Sequence, residues 1–154
     1  MNTARKKIIV LIIFYLIIHN NLYAEDSIKF MSLKKGEVNV REGPSKDYPI
    51  KFVYKKKFLT VQILETWDNW KKIRDFQNNG GWVHVALLSG KKTAINKTKN
   101  SILFSSNTIY SKPIARIDQG RLLLIKKCKY EWCKVMSEDY IGWIKKEFLW
   151  GKTN

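Results

Sequence analysis

Residues 70–85 carry the sequence Trp-Lys-Lys-Ile-Arg-Asp-Phe-Gln-Asn-Asn-Gly-Gly-Trp-Val-His-Val. The two apolar-rich segments, 70–76 and 82–85, flank the polar residues 77–81. The dipeptide Asn-Gly within this polar stretch readily adopts the positive φ of a tight turn, and short segments rich in aromatic and β-branched residues favour strands. The stretch therefore predicts a β-hairpin.

Upstream of this hairpin, two further segments alternate apolar and polar residues. Residues 36–42 place Val38 and Val40 on one face, and residues 58–64 repeat the alternation from Leu59 onwards. This period of two is typical of a half-buried strand, and residues 25–154 contain almost no segment with a helical period. The sequence therefore predicts an all-β fold.

The hairpin pattern occurs twice. Trp70 and Trp82 are twelve positions apart, and Trp132 and Trp143 are eleven apart, with the one-residue difference in the turn. Each second tryptophan follows a glycine and precedes an apolar residue. A repeat of this kind indicates two copies of one structural unit. Because each copy is near the lower size limit for independent folding, we expect the two units to pack against one another.

The 154 residues divide into a leader, two units and a connector. Residues 1–24 have a basic start, an uncharged apolar stretch too short to span a bilayer, and a polar end, which is the layout of a signal peptide. We expect cleavage after Ala24 and a periplasmic or secreted protein; retention as a membrane anchor is the alternative. The first unit is expected over 32–90, a polar and basic linker over 91–100, and the second unit over 101–151.

The chain is strongly basic, with 29 Lys and Arg against 13 Asp and Glu and a net charge of +16. Such a charge suggests nucleic acid, anionic lipid or an acidic wall polymer as the partner. However, 24 of the basic residues are lysine and only five are arginine, the residue on which base and phosphate recognition depend most. For an exported protein we therefore expect no nucleic acid partner.

Two cysteines, Cys128 and Cys133, flank four residues. If those four form a hairpin loop, the cysteines face each other across adjacent strands at a separation that suits a disulfide, which an oxidising compartment favours. The alternatives are a catalytic cysteine with His84 as its base, or a zinc site. Only one histidine follows the leader, so both alternatives lack partners, and we expect no catalytic residue, metal or cofactor.

The first unit resembles the bacterial SH3 domain, a small five-stranded barrel that serves as a binding module. The resemblance rests on residues 38–45, 70–73 and 81–88. The cysteine, Gly-Trp and Leu-Trp-Gly segments extend the resemblance to the second unit. With them, nearly all of residues 32–151 resembles exported alphaproteobacterial proteins built of two such domains. This implies two SH3-like five-stranded barrels in tandem. The second unit departs from the pattern because it lacks the Asn-x-Arg-x-Gly-Pro stretch.

Strand alternation predicts which tryptophans face away from the core. If Ile73 and Val83 face inward, Trp70 and Trp82 face outward, and Trp143 follows by analogy. Exposed indoles need an explanation. They form either a ligand platform or an interface between the two units, and the sequence leaves both open.

The candidate ligand residues of the first unit are aromatic or arginine side chains. Trp67 and Tyr48 are expected in loops, where they are accessible to a ligand. An arginine beside aromatic rings suits a carboxylate, whereas an Arg-Asp pair such as 74–75 is more typical of a solvated ion pair. The predicted ligand-binding residues are Arg41, Tyr48, Tyr54, Trp67, Trp70 and Arg74.

We therefore expect an exported, non-catalytic binding module that recognises a cell-envelope component such as peptidoglycan. A periplasmic protein-protein adaptor is the alternative. Eukaryotic SH3 domains bind proline-rich peptides, but His84 and Leu87 stand where their motif has proline and tyrosine, so a polyproline ligand is not expected. The expected partners are a wall polymer or an envelope protein, with no stable membrane span after cleavage and a monomeric state.

Overall fold

The computed structural model describes residues 28–153, which form two antiparallel sheets, one after the other along the chain. The all-β prediction is confirmed, as is the tandem arrangement. The signal peptide expected over residues 1–24 lies outside the described residues. Within the described part, no helix has the length and apolar character needed to cross a membrane.

The first sheet has seven strands, not the five expected. Besides the segments that alternation identifies, residues 29–33, 50–54 and 88–89 also form strands, because each pairs with a neighbouring strand. The strands are β1 (Lys29–Leu33), β2 (Val38–Arg41), β3 (Ile50–Tyr54), β4 (Thr60–Trp67), β5 (Trp70–Arg74), β6 (Gly80–His84) and β7 (Leu88–Ser89). Their order across the sheet is β3-β2-β6-β5-β4-β1-β7, and in the described chain no pairing joins its ends into a closed barrel.

The second sheet repeats this topology with the order β10-β9-β13-β12-β11-β8-β14. It likewise has seven strands, and its end strands are not paired with each other in the described part of the chain. The strands are β8 (Thr93–Asn96), β9 (Ser101–Phe104), β10 (Pro113–Ile117), β11 (Leu122–Lys129), β12 (Trp132–Ser137), β13 (Tyr140–Lys145) and β14 (Leu149–Gly151).

Strand β8 corrects the expectation that 91–100 is a polar linker. It pairs with β11 and β14, and all four of its residues are buried. Thr60 Oγ1 donates a hydrogen bond of 2.8 Å to Thr93 Oγ1, and the side-chain amide of Asn96 donates to three backbone carbonyls. A polar strand is buried here because these hydrogen bonds satisfy its polar groups.

Each sheet encloses its own apolar core, to which alternate strand residues contribute. The first core contains Leu33, Val38, Val40, Val61, Ile73, Val83 and Leu88. The second contains Ala94, Leu103, Ile117, Leu123, Ile125, Cys133, Val135, Ile144 and Leu149.

The predicted disulfide is confirmed: Cys128 on β11 faces Cys133 on β12 and is bonded to it. Cys133 belongs to the second core and the partly buried Cys128 packs against it, so the bridge joins β11 to β12 at the edge of this core.

The two sheets contact each other through Trp150 on β14. Its ring centroid lies 4.9 Å from that of Phe30 and 5.8 Å from that of Phe76. The buried hydrogen bond between Thr60 and Thr93 also joins the two sheets. The interface is therefore built around one tryptophan, which is not among those expected to face outward.

Candidate functional site

The turn between β5 and β6 is organised by Asp75. Its carboxylate accepts hydrogen bonds from the backbone N–H groups of Gln77 and Asn79, at 2.8 and 2.9 Å, and from the Tyr54 hydroxyl at 3.0 Å. The positive φ expected at the Asn-Gly dipeptide occurs instead at Asn78, with φ of 67°. Asp75 is thus a turn residue, and the described residues contain no ion pair between it and its neighbour in sequence.

Tyr54 supports this turn and lies outside both grooves described below. Its hydroxyl donates to the Asp75 carboxylate and to the carbonyl of Asn79, the latter at 3.1 Å. Burial, and then the charge and hydrogen bond of Asp75, raise the pKa of Tyr54 well above its usual range. The contacts therefore favour a structural role over the ligand contact predicted for Tyr54.

Replacing Tyr54 by phenylalanine is expected to make the melting temperature less sensitive to alkaline pH. Because the folded pKa lies above the unfolded value of about 10, the neutral phenol stabilises the fold below that pH, and this contribution is lost as pH rises through the folded pKa. Thermal melts above about pH 10 test this. Tyr110→Phe, at an exposed position, should retain the wild-type slope; equal slopes for all three proteins would contradict the assignment.

A groove beside the β4–β5 turn brings together two of the predicted ligand residues. One wall is the loop 44–47, and the other contains Trp67, Trp70 and His84; we call this the tryptophan groove. Trp67, expected in a loop, is the last residue of β4 and pairs with Trp70, the first residue of β5. A two-residue turn, in which Asp68 has a positive φ of 44°, joins them.

The aromatic side chains of the tryptophan groove differ in exposure. Trp67 is 65% exposed, whereas Trp70 is half-buried and meets the ring of His84 edge to face at 5.3 Å between centroids. His84 Nδ1 accepts a hydrogen bond from the backbone N–H of Ala86, which fixes the imidazole at the start of a short 3₁₀ turn. The groove therefore has one rigid ring pair and one free indole.

A second groove, on the outer face of β5 and β6, contains the two predicted arginines. Arg41, Lys51, Lys72 and Arg74 surround Trp82 in a volume of about 640 Å³; we call this the basic groove. Register explains the assembly, because Trp82 pairs with Arg41 on one side and with Lys72 on the other.

Trp82 corrects the expectation of an exposed outward indole. It does not join the first core, yet it is only 8% exposed. The Lys72 ammonium lies 5.9 Å from its ring centroid. Trp143 in the second sheet is likewise only 9% exposed, with Lys127 at 5.7 Å. Both indoles are buried, so neither forms an exposed ligand platform, and the aromatic contacts between the two sheets are made by Trp150.

Tyr48 connects the two grooves indirectly. Its backbone carbonyl accepts a 2.7 Å hydrogen bond from Arg41 Nη1, and its half-exposed ring packs against Gly43, where an added Cβ would lie 2.5 Å from it. Tyr48 thus holds the loop that separates the grooves. The structure divides the predicted set into Arg41 and Arg74 in one groove and Trp67 and Trp70 in the other.

The second sheet keeps one groove and loses the other. Trp132 pairs with Lys145 as Trp70 pairs with His84, beside a groove that we call the apolar groove. Its apolar lining residues are Ile102, Phe104, Ile109, Trp132 and Phe148, and the rest of its lining is Thr98, Lys99, Asn100, Ser101 and Lys145. The basic groove has no counterpart, because the residues aligned by register with its Arg41, Lys51 and Arg74 are Phe104, Ile114 and Met136.

Among solved structures, the chain is similar to NlpC2 and NlpC1 from Trichomonas vaginalis, with 14% and 13% identity and TM-scores of 0.37 and 0.35. It is also similar to an NlpC/P60 family protein from Bacillus cereus ATCC 10987, with 9% identity and a TM-score of 0.34. Each match covers 82% of this chain and 49%, 47% and 57% of the other chains, so the chain spans about half their length. No curated protein matches it.

The family comparison finds a match in each of the two sheets. The model of the bacterial SH3 domain matches residues 34–90, which include β2 to β7, and residues 103–151, which include most of the second sheet. These two matches together cover more than half of the chain, and this chain belongs to the bacterial SH3 domain family.

Proposed function

We propose that this chain is an exported, non-catalytic module that binds a cell-wall component, peptidoglycan, through the tryptophan groove. Bacterial SH3 domains are cell-wall-binding modules, and this family role sets the ligand class. The observation that carries the proposal is the 65% exposed indole of Trp67 beside the fixed ring pair of Trp70 and His84.

The chemistry of the groove matches a ligand with both sugar and peptide character. An exposed indole offers a flat apolar face on which a sugar ring packs. The opposite wall is polar, and its Ser45 hydroxyl already donates to the Asp47 carboxylate at 2.7 Å. Asn69 on the turn donates to the Asp68 carboxylate at 3.1 Å. These hydrogen bonds orient two carboxylates, which can accept hydrogen bonds from hydroxyl and amide groups of a wall fragment beside the indole.

A periplasmic or secreted location agrees with two features of the chain. The apolar stretch within residues 1–24 is the expected export signal. The disulfide between Cys128 and Cys133 is typical of proteins in an oxidising compartment. We propose that the protein acts there as a monomer.

An adaptor function is supported by one observation, the apolar groove of the second sheet. Where the tryptophan groove has a polar loop, this groove has Ile109, and Phe104 meets Trp132 edge to face at 5.9 Å. Such a surface suits an apolar side chain of a protein better than a sugar.

Trp67→Ala is expected to weaken co-sedimentation with purified sacculi by about tenfold, because the variant removes the stacking face and its buried area. The melting temperature should not change, since the indole is mostly exposed. The bound fraction is measured at several protein concentrations and two salt concentrations.

The matched control is Tyr110→Ala, which removes an aromatic side chain that is 92% exposed. Its affinity should equal that of the wild type. If Trp67→Ala pellets as well as the wild type, the tryptophan groove is not the wall site. If a single envelope protein, and no sacculus, is retained after a salt wash, the adaptor function replaces the proposed one.

A further inference from the structure

The basic groove has no part in the proposed wall recognition. It lies on the outer face of β5 and β6, and its lining shares no residue with the tryptophan groove. We infer that the basic groove is a separate site for phosphate groups carried by a ligand. The inference does not depend on the proposed function.

Three of the four cations of the groove are positioned by neutral partners. Arg41 donates to a backbone carbonyl, and Lys51 donates to the carbonyl of Gly80 at 3.3 Å. Arg74 donates from Nε to the amide oxygen of Gln62 at 2.9 Å and from Nη1 to that of Asn78 at 3.3 Å. Each side chain is thus oriented without any loss of its charge.

The charge of the groove is largely uncompensated. Within residues 28–153, neither arginine nor Lys51 forms an ion pair. Lys72 alone is paired, with Glu65 at 3.5 Å, and both side chains are about half exposed, so this pair is weak. Glu42 is the one acidic residue that lines the groove. Four cations facing one carboxylate in a shared concavity attract an anion of more than one charge.

The free donors suit phosphate better than a carboxylate. In the described chain, no hydrogen bond uses Nη2 of Arg41 or Arg74, so both guanidinium groups retain donors for a ligand. Arginine recognises phosphate with paired hydrogen bonds, and lysine adds a point charge. A phosphate carries three oxygen acceptors in different directions, whereas a planar carboxylate has two. The donors of this groove come from two arginines and two lysines on three strands, β2, β3 and β5, and this arrangement matches phosphate.

The second sheet shows that the fold does not require these cations. There, the positions of Arg41, Lys51 and Arg74 hold apolar residues, while Lys134 stands opposite Trp143 as Lys72 stands opposite Trp82. A lysine paired in register with the tryptophan is therefore common to both sheets, although the ammonium group near the Trp143 ring belongs to Lys127. The other three cations are particular to the first sheet and are the residues we assign to phosphate binding.

The test is a calorimetric titration of the whole purified protein with inorganic pyrophosphate, repeated with citrate as the carboxylate probe. The double variant Lys51→Gln/Arg74→Gln is expected to weaken pyrophosphate binding by about tenfold or more, because it removes two charged hydrogen-bond donors from the groove. The matched control, Lys127→Gln/Lys134→Gln, removes the same charge beside Trp143 and should bind as the wild type does.

Three outcomes would overturn the inference. Equal loss of pyrophosphate affinity in both double variants would show unspecific charge attraction. The other two are unchanged pyrophosphate affinity in both double variants, and a citrate affinity equal to that of pyrophosphate. Lys51→Arg, which keeps the charge, should retain binding. If the Lys51/Arg74 double variant does not fold, Lys51→Gln alone provides the comparison, because its one hydrogen bond in the described structure is the long contact to Gly80.

Flotation with vesicles of phosphatidylcholine, alone or mixed with phosphatidylglycerol, distinguishes the sources of phosphate. Binding to the mixed vesicles that the Lys51/Arg74 double variant loses supports the site and identifies a lipid headgroup. Pyrophosphate binding without vesicle binding supports the site for a soluble or polymer-borne phosphate. Trp67→Ala should bind pyrophosphate like the wild type, so failure of wall binding and failure of this site are distinguishable.

Discussion

Replacing Asn96 by alanine is expected to lower the free energy of unfolding of the second sheet by about 4 kcal/mol, since each unsatisfied buried polar group costs about 1–3 kcal/mol. Asn96 is fully buried in β8. Its amide nitrogen donates to three backbone carbonyls at 2.8 to 3.1 Å, and its oxygen accepts from the Ser101 hydroxyl at 2.9 Å. Alanine leaves these three carbonyls and the Ser101 hydroxyl without their amide partner at once.

Urea unfolding monitored by circular dichroism measures this effect. Asn39→Ala is the matched control, because Asn39 also lies in a strand but is exposed, and its loss should change the free energy of unfolding by less than about 0.5 kcal/mol. The unfolding midpoint of the first sheet should stay at its wild-type value. Any decrease should be limited to what the first sheet loses at the shared interface around Trp150. An Asn96→Ala protein as stable as Asn39→Ala would show that the amide network contributes little.

The hairpin of residues 70–85 could be predicted because both of its signals are local. Alternation marks the strands, and polar residues mark the turn. Strand β8 could not be predicted, since Thr93 and Asn96 make it polar. Asn96 finds some partners nearby, at Thr98 and Ser101. The other hydrogen bonds that permit burial of this strand involve residues more than 20 positions away. Apolar periodicity recognises strands whose burial depends on apolar side chains, and it fails where hydrogen bonds replace them.

The candidate site was predicted in its residue types but not in its grouping. Arg41 and Arg74 line the same groove because β2 and β5 both pair with β6, and the pairing of β2 with β6 joins distant parts of the chain. Lys72 could have been included in the predicted set of ligand residues, because strand alternation places it on the same face of β5 as Trp70 and Arg74. The burial of Trp82 could not be predicted, since alternation indicates the face of a strand but not which side chains of a neighbouring strand cover that face.

Gly81→Ala is expected to destabilise the first sheet by about 3 kcal/mol, the upper range for overpacking in a well-packed region. A Cβ at this position would lie 2.6 Å from the carbonyl oxygen of Arg41 and 2.8 Å from Cγ1 of Val40. Because the nearer atom belongs to the backbone, β2 and β6 must move apart, and the pairing of Arg41 with Trp82 weakens. The same displacement should weaken pyrophosphate binding in the basic groove.

Gly90→Ala provides the control for Gly81→Ala, because no atom lies within 4 Å of an added Cβ there and its backbone needs no positive φ. It should leave stability unchanged or raise it by about 0.5 kcal/mol through a less flexible unfolded chain. Thermal melts and pyrophosphate titrations of the two variants separate the effects. Equal stability of the two variants would mean that β2 and β6 tolerate a wider spacing, and that their close approach does not hold Arg41 at the basic groove.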